Sequence, residues 1–237
     1  ASPGGAPARL YRDPVEIVRA ETPDEVWPAL RRLREARSRG LHAAGYLTYE
    51  ASAGFEPLAW EGISVEGATL LWFALFADYA ELDAQALARL LPDPAGAWAG
   101  PPEPLMRRED YGAAFDRVIA YIAAGDIYQA NLTFHNWVRY AGGEATLYAL
   151  LRGRAKAGYG ALVATGDKWL LSFSPELFFS LEAGRLTARP MKGTAVRGAD
   201  PGSDRALAQS LRNDPKQRAE NLMIVDLLRN DLSRVAR

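Results

Sequence analysis

The sequence predicts an α+β protein of layered, largely antiparallel β-sheets with helices packed outside them. Three observations carry this. Strand-like and helical segments are mixed, with several hairpin-like neighbours and no strict strand–helix–strand alternation. Two apolar runs flank the turn Glu182-Ala183-Gly184-Arg185, a hairpin signal. The chain has 237 residues, 49% hydrophobic and 24% charged, enough for one large domain or two small ones.

The elements follow in order. Ala1 to Ala8 is rich in Pro and Gly and reads as a flexible lead-in. Thr22 to Arg39 reads as a helix, capped by Thr22, started by Pro23 and ended by Gly40. Ala43 to Glu50 and Thr69 to Ala77 read as strands, and Leu82 to Leu91 as a short helix. Pro92 to Pro104 holds five prolines and reads as a linker or surface loop. Asp110 to Ala124 is an amphipathic helix with Tyr111, Phe115, Val118, Ile119 and Ile122 on its inner face, closed by Gly125. Ile127 to Val138 reads as a strand, Thr146 to Lys156 as a helix and Gly160 to Thr165 as a strand. The hairpin comes next, then a helix opened by Asn213-Asp214-Pro215. That helix is apolar nearly all round in its middle, the pattern of a buried helix. The expected organisation is a β-rich region with a linker over 1–104 and a second domain over 105–237.

Composition excludes several classes of function. The formal net charge of −1 gives no basis for a nucleic-acid surface. With no cysteine there is no disulfide, thiolate metal site or cysteine nucleophile, which suits a reducing compartment such as the cytoplasm. His42 and His135 are the only histidines, too few for a histidine metal cluster. No apolar run reaches membrane-spanning length and no signal peptide is visible.

Within Pro190-Met191-Lys192-Gly193-Thr194, a lysine sits where proline and glycine direct the backbone tightly. A three-residue turn centred on Gly184 places Glu176 opposite Lys192; a two-residue turn points them to different faces. By spacing alone such a pair is most often a surface ion pair of little worth. In the last helix, Glu220 shares a face with Met223, Ile224 and Leu227, where a carboxylate needs a partner, a metal or a proton. The plainer alternative is a solvated first-turn residue favoured by the helix N-terminus. For Asp226 the plainer alternative is an ion pair with Arg229.

Four segments in order resemble one family. They are Gly125-Asp126-Ile127-Tyr128-Gln129-Ala130-Asn131-Leu132, Ser174-Pro175-Glu176-Leu177-Phe178, Pro190-Met191-Lys192-Gly193-Thr194, and the fourteen residues from Ala219 to Leu232. The chain is similar over Asp110 to its end to the chorismate-utilising enzymes: anthranilate, aminodeoxychorismate, isochorismate and salicylate synthases. The resemblance implies the chorismate-binding enzyme fold, incomplete here. In that family the catalytic domain continues far past the position of Arg237, and supplies a histidine, a Gly-Ser-rich loop and another metal-binding glutamate. These 237 residues alone are therefore expected to lack synthase activity, and full turnover by the isolated chain would contradict this.

The resemblance also implies chemistry. Water-adding members carry a lysine base where this chain has Gln129, and anthranilate synthases carry alanine in the slot of Lys192. The pattern here resembles aminodeoxychorismate synthase component 1, which makes 4-amino-4-deoxychorismate for para-aminobenzoate and folate synthesis. In that scheme Lys192 attacks C2 of chorismate, Glu176 protonates the departing C4 hydroxyl, and ammonia attacks C4 as the lysine leaves. An amine attacks only when neutral, so the scheme needs a neutral Lys192 beside a protonated Glu176. Gly193 would let the backbone approach substrate, Thr194 would donate a hydroxyl hydrogen bond, and Gln129 would line the site. Mg²⁺ is the implied cofactor, with Glu220 matching a metal-ligating glutamate. Ammonia comes from a glutamine amidotransferase subunit. Some members bind tryptophan in the N-terminal β region, the area of Tyr46-Leu47-Thr48-Tyr49 here. Anthranilate or isochorismate synthase, and a non-catalytic chorismate-fold binding module, are the alternative readings.

Overall fold

The computed structural model describes residues 7–61, 63, 65 and 67–236. They divide into two compact units. The first reaches Gly153 and takes in Val163–Trp169; the second comprises Arg154–Leu162 and the chain from Leu170 onward.

The first unit opens with strands β1 (Ala8–Leu10) and β2 (Glu16–Ala20), then helix α1 (Pro23–Ser38) and strand β3 (His42–Leu47). Ala8 thus lies in a strand and Pro7 just before it, while residues 1–6 of the predicted lead-in lie outside the described residues. The α1 start is as expected: the Glu25 carboxylate reaches back to accept the N–H of Thr22 at 3.1 Å. A 3₁₀ turn, Tyr49–Gly54, ends the β3 strand earlier than its sequence pattern suggests. Strand β4 (Leu71–Phe76) forms the centre of an antiparallel sheet ordered β2-β4-β3. The side chains of β4 alternate between faces. Leu71 and Leu75 join Val18, Val26, Ala29 and Ala36 beneath α1. Trp72, Ala74 and Phe76 face the other way, against Tyr11, Ile17, Tyr46 and Val163. Covering both faces explains why β4 is apolar throughout rather than alternating.

The unit continues with β5 (Ala80–Leu82), paired to β1, and α2 (Ala84–Leu90), capped by Asp83 on the Ala86 N–H at 2.7 Å. The proline-rich stretch is more than a linker. It carries β6 (Trp98–Ala99) and β7 (Glu103–Pro104). Helix α3 (Arg108–Ala124) ends at Gly125 as expected, but its predicted inner face is open, with Phe115, Ile119 and Ile122 exposed. The predicted strand Ile127 to Val138 is corrected to β8 (Asn136–Trp137) alone, paired to β7. A strand exists only where a neighbour takes its backbone hydrogen bonds. Among the described residues, 127–135 form no strand. Strand β9 (Tyr140–Ala141) pairs with β6, and α4 (Glu144–Ala155) follows.

Strands β10 (Tyr159–Ala164) and β11 (Trp169–Ser174) form a hairpin whose tip, Val163–Trp169, belongs to the first unit. The second unit adds the hairpin of β12 (Leu177–Glu182) and β13 (Arg185–Arg189), then α5 (Pro201–Asn213) and α6 (Pro215–Ser233). Helix α5 has local signals, Asp200 as N-cap and Pro201 at the first position, although the sequence reading gives it no element. Helix α6 is capped by Asp214 on the Gln217 N–H at 3.0 Å. The expectation that α6 is buried fails: Leu222 is 69% exposed and Leu227 54%. An apolar helix is buried only if other elements cover each face, and no residue of α6 is buried here. No helix among the described residues is long and apolar enough to cross a membrane.

Candidate active site

Three local structures bring Glu176 to the segment that carries Lys192. First, Pro175 has no N–H to donate, and the run of apolar residues from Trp169 breaks there into β11 and β12. The Glu176 N–H donates to Ser174 Oγ at 3.2 Å, and Ser174 Oγ donates to the Glu176 carbonyl at 3.0 Å. Second, the β12–β13 turn has two residues, Ala183 and Gly184, with φ of 47° and 78°. Both left-handed values match the tight hairpin turn that follows strand twist. Glu182 pairs with Arg185, Leu181 with Leu186 and Ser180 with Thr187. Third, a bulge between Leu177 and Ser180 shifts the register, so that Leu177 pairs with Arg189.

Of the two registers open from sequence, the two-residue turn is the one adopted, and the bulge changes its consequence. Glu176 Oε1 accepts the Met191 N–H at 3.0 Å. It thereby grips the peptide before Lys192. Among the described residues no ion pair joins Glu176 to Lys192. Glu176 is exposed, and Lys192 and Gly193 are half-buried.

Gly193 answers to two demands. Its φ of 81° lies in the left-handed region, and an added Cβ would come within 2.5 Å of Gln217 Oε1 and 3.3 Å of Leu211 Cδ1. The segment thus lies against the α5–α6 corner. Thr194 is exposed.

Arg197 and Asp204, which the sequence reading does not single out, close the far end of this segment. Arg197 Nε and Nη2 donate to the two Asp204 carboxylate oxygens at 2.6 and 2.7 Å. The Gly198 N–H adds a third donor at 2.9 Å. The Arg197 hydrogen bonds, then the Gly198 N–H, hold the Asp204 carboxyl down to about 2. The Ser203 hydroxyl and the N–H groups of Ser203 and Gly202 likewise lower Asp200, the N-cap of α5. The only available signal was the Asp200-Pro201 helix start; a pair seven residues apart across a loop follows no periodicity.

Glu220 is half-buried, its side chain 37% exposed, and lies 4.0 Å from Lys216 Nζ one helical turn earlier. It offers one hard oxygen ligand on α6. Among the described residues no group of three or more His, Cys, Asp or Glu could hold a metal ion. A single carboxylate still fits Mg²⁺, which keeps several waters and takes one or two carboxylates with substrate oxygens. Asp226 pairs with Arg229 at 3.2 Å, its plainer alternative. Gln129 belongs to the first unit, half-buried in the irregular segment after Gly125, next to Tyr128, which is 86% exposed.

A family described as chorismate binding enzyme matches residues 2–237. The chain belongs to that family. It is 45% identical over 131 residues to aminodeoxychorismate synthase component 1 of Klebsiella aerogenes, an alignment covering 55% of this chain and 29% of that protein. It is 38% identical over 149 residues to anthranilate synthase component 1 of Haloferax volcanii, covering 62% and 28%. Its fold matches the crystal structure of anthranilate synthase component I from Streptococcus pneumoniae TIGR4 with a TM-score of 0.68 at 21% identity, covering 99% of this chain and 63% of that one. The chain spans less than a third of the length of those two curated relatives.

Proposed function

We propose that this chain is the lysine-bearing part of an aminodeoxychorismate synthase component 1, with residues 105–237 forming the first part of its catalytic domain. The observation that carries the reading is the hydrogen bond from the Met191 N–H to Glu176 Oε1, which sets a carboxyl group beside the lysine-bearing peptide. In the proposed reaction the neutral Lys192 amine forms a bond to C2 of chorismate as the C4–O bond breaks. Glu176 gives its proton to the leaving hydroxyl, which departs as water. Ammonia then bonds to C4, the C2–N bond breaks, and the Lys192 amine is restored. Gly193, at a left-handed φ that glycine adopts freely, would let the main chain approach substrate, Thr194 would offer a hydroxyl donor, and neutral Gln129 supplies no base for adding water.

Glu220 would hold Mg²⁺, which when bound neutralises a substrate carboxylate. Replacing Glu220 by Gln in the full-length protein should weaken Mg²⁺-dependent chorismate binding in calorimetry; unchanged binding removes Glu220 from the metal site. The ammonia source is a glutamine amidotransferase subunit, in keeping with the "component 1" in the relatives' names. The proposed location is the cytoplasm, supported by the absence of cysteine.

A second reading, anthranilate synthase, draws on the Haloferax volcanii relative. Lys192 argues against it, because a nucleophile at C2 leaves C4 for the amine. Product analysis of the full-length protein with chorismate and ammonia decides. 4-Amino-4-deoxychorismate supports the proposal, and anthranilate or isochorismate overturns it.

A further inference from the structure

Eleven residues, 190–200, join β13 to α5 and carry Lys192. They form neither helix nor strand, so the lysine's position depends on what pins the segment. Its near end is held by Glu176 on the Met191 N–H, and Gly193 lies against Gln217 and Leu211. Its far end meets α5 at Arg197 and Gly198.

The far attachment is unusually complete. Asp204 lies in the first turn of α5, where a helix end favours negative charge. Its carboxylate takes both arms of the Arg197 fork and the Gly198 N–H. Any Cβ on Gly198 would collide with the backbone of Ser203 and Asp204, so loop and helix touch main chain to main chain. An exposed ion pair by itself contributes little to stability. Arg197 is itself 88% exposed, but the Asp204 side chain is 28% exposed, and two parallel hydrogen bonds fix the angle as well as the distance.

We propose that Arg197 and Asp204 form a clasp that sets where Lys192 points, making Arg197 a positioning residue of the aminating reaction. The inference rests on the reading of Lys192 as the nucleophile. Arg197 acts through the backbone, five residues from the lysine, and touches no substrate. Between two fixed ends the segment has few conformations left, so releasing one end frees the lysine to leave its attacking geometry.

The test uses the full-length protein and the variants Arg197→Ala, Arg197→Lys, the double variant Arg197→Ala/Asp204→Asn, and Lys192→Ala. Amide exchange over residues 190–199, melting temperature, kcat and KM for chorismate are measured on each. Arg197→Ala should speed exchange in this segment and lower kcat roughly ten- to a hundredfold, the scale of a misplaced reacting group. KM should change less than about threefold, because the lost interaction is not one with bound substrate. Arg197→Lys, which keeps the charge but not the fork, should recover part of kcat, and the double variant should be no worse than Arg197→Ala. Wild-type kcat or wild-type exchange in Arg197→Ala overturns the clasp. If Arg197→Ala does not fold, Arg197→Lys carries the test: a partial loss of kcat supports the clasp and wild-type kcat overturns it. Loss of C4 amination in Lys192→Ala with wild-type kcat in Arg197→Ala overturns the clasp and leaves the nucleophile standing. Retained C4 amination in Lys192→Ala overturns the nucleophile, and the positioning role with it.

Discussion

The Glu176 carboxylate accepts the Met191 N–H at 3.0 Å, so the carboxyl group is fixed to the peptide immediately before Lys192. Replacing Glu176 by Gln keeps an acceptor oxygen and removes the transferable proton. In the full-length protein this should lower kcat by roughly a hundred- to ten-thousandfold, the usual worth of a general acid, with little change in melting temperature. Steady-state kinetics beside a thermal melt checks it. Wild-type kcat would leave Glu176 only its backbone contact.

Gly193 stands at φ 81° against the end of the Gln217 side chain. An alanine there adds left-handed strain of about 1–2 kcal/mol. The Gln217 amide can swing away, so the backbone dominates the cost. Denaturant midpoints of Gly193→Ala should fall accordingly, and replacing Gln217 by Ala in that background should restore little of the loss. Full restoration would shift the explanation from backbone to crowding.

The Arg197–Asp204 contact has a defined acid limit. Asp204 lies at about 2, below its ordinary 3.8, because Arg197 and the Gly198 N–H favour the ionised form. A depressed carboxyl contributes its stabilisation above the ordinary value and loses it as pH falls through the folded one. The difference in urea midpoint between wild type and Asp204→Asn should be constant from neutral pH to about 4, then close towards about 2. A difference that closes nearer neutral pH would assign the contact to another group.

Elements with local punctuation were legible in the sequence. Thr22-Pro23 with Gly40, Gly125, and Asp214-Pro215 each mark a helix end by backbone chemistry, and the structure ends helices α1, α3 and α6 accordingly. Elements that depend on a distant partner were not. Nothing within Ile127 to Val138 says that the strand is confined to Asn136 and Trp137, or that its partner lies in the proline-rich stretch. The hairpin shows the same limit at finer scale. Its turn was readable, but the bulge between Leu177 and Ser180 decides what Glu176 meets. Lys192, Glu176 and Glu220 stood out through their motifs, whereas Arg197 and Asp204 meet only because a loop folds back onto a helix.

The central claim is that Lys192 forms a bond to the chorismate ring. The direct measurement is mass spectrometry of the full-length protein quenched after exposure to chorismate and Mg²⁺ without ammonia. The account predicts a substrate-derived mass on the peptide containing Lys192, absent from Lys192→Ala, which also ceases to aminate C4. Amination at C4 by Lys192→Ala at the wild-type rate would contradict it.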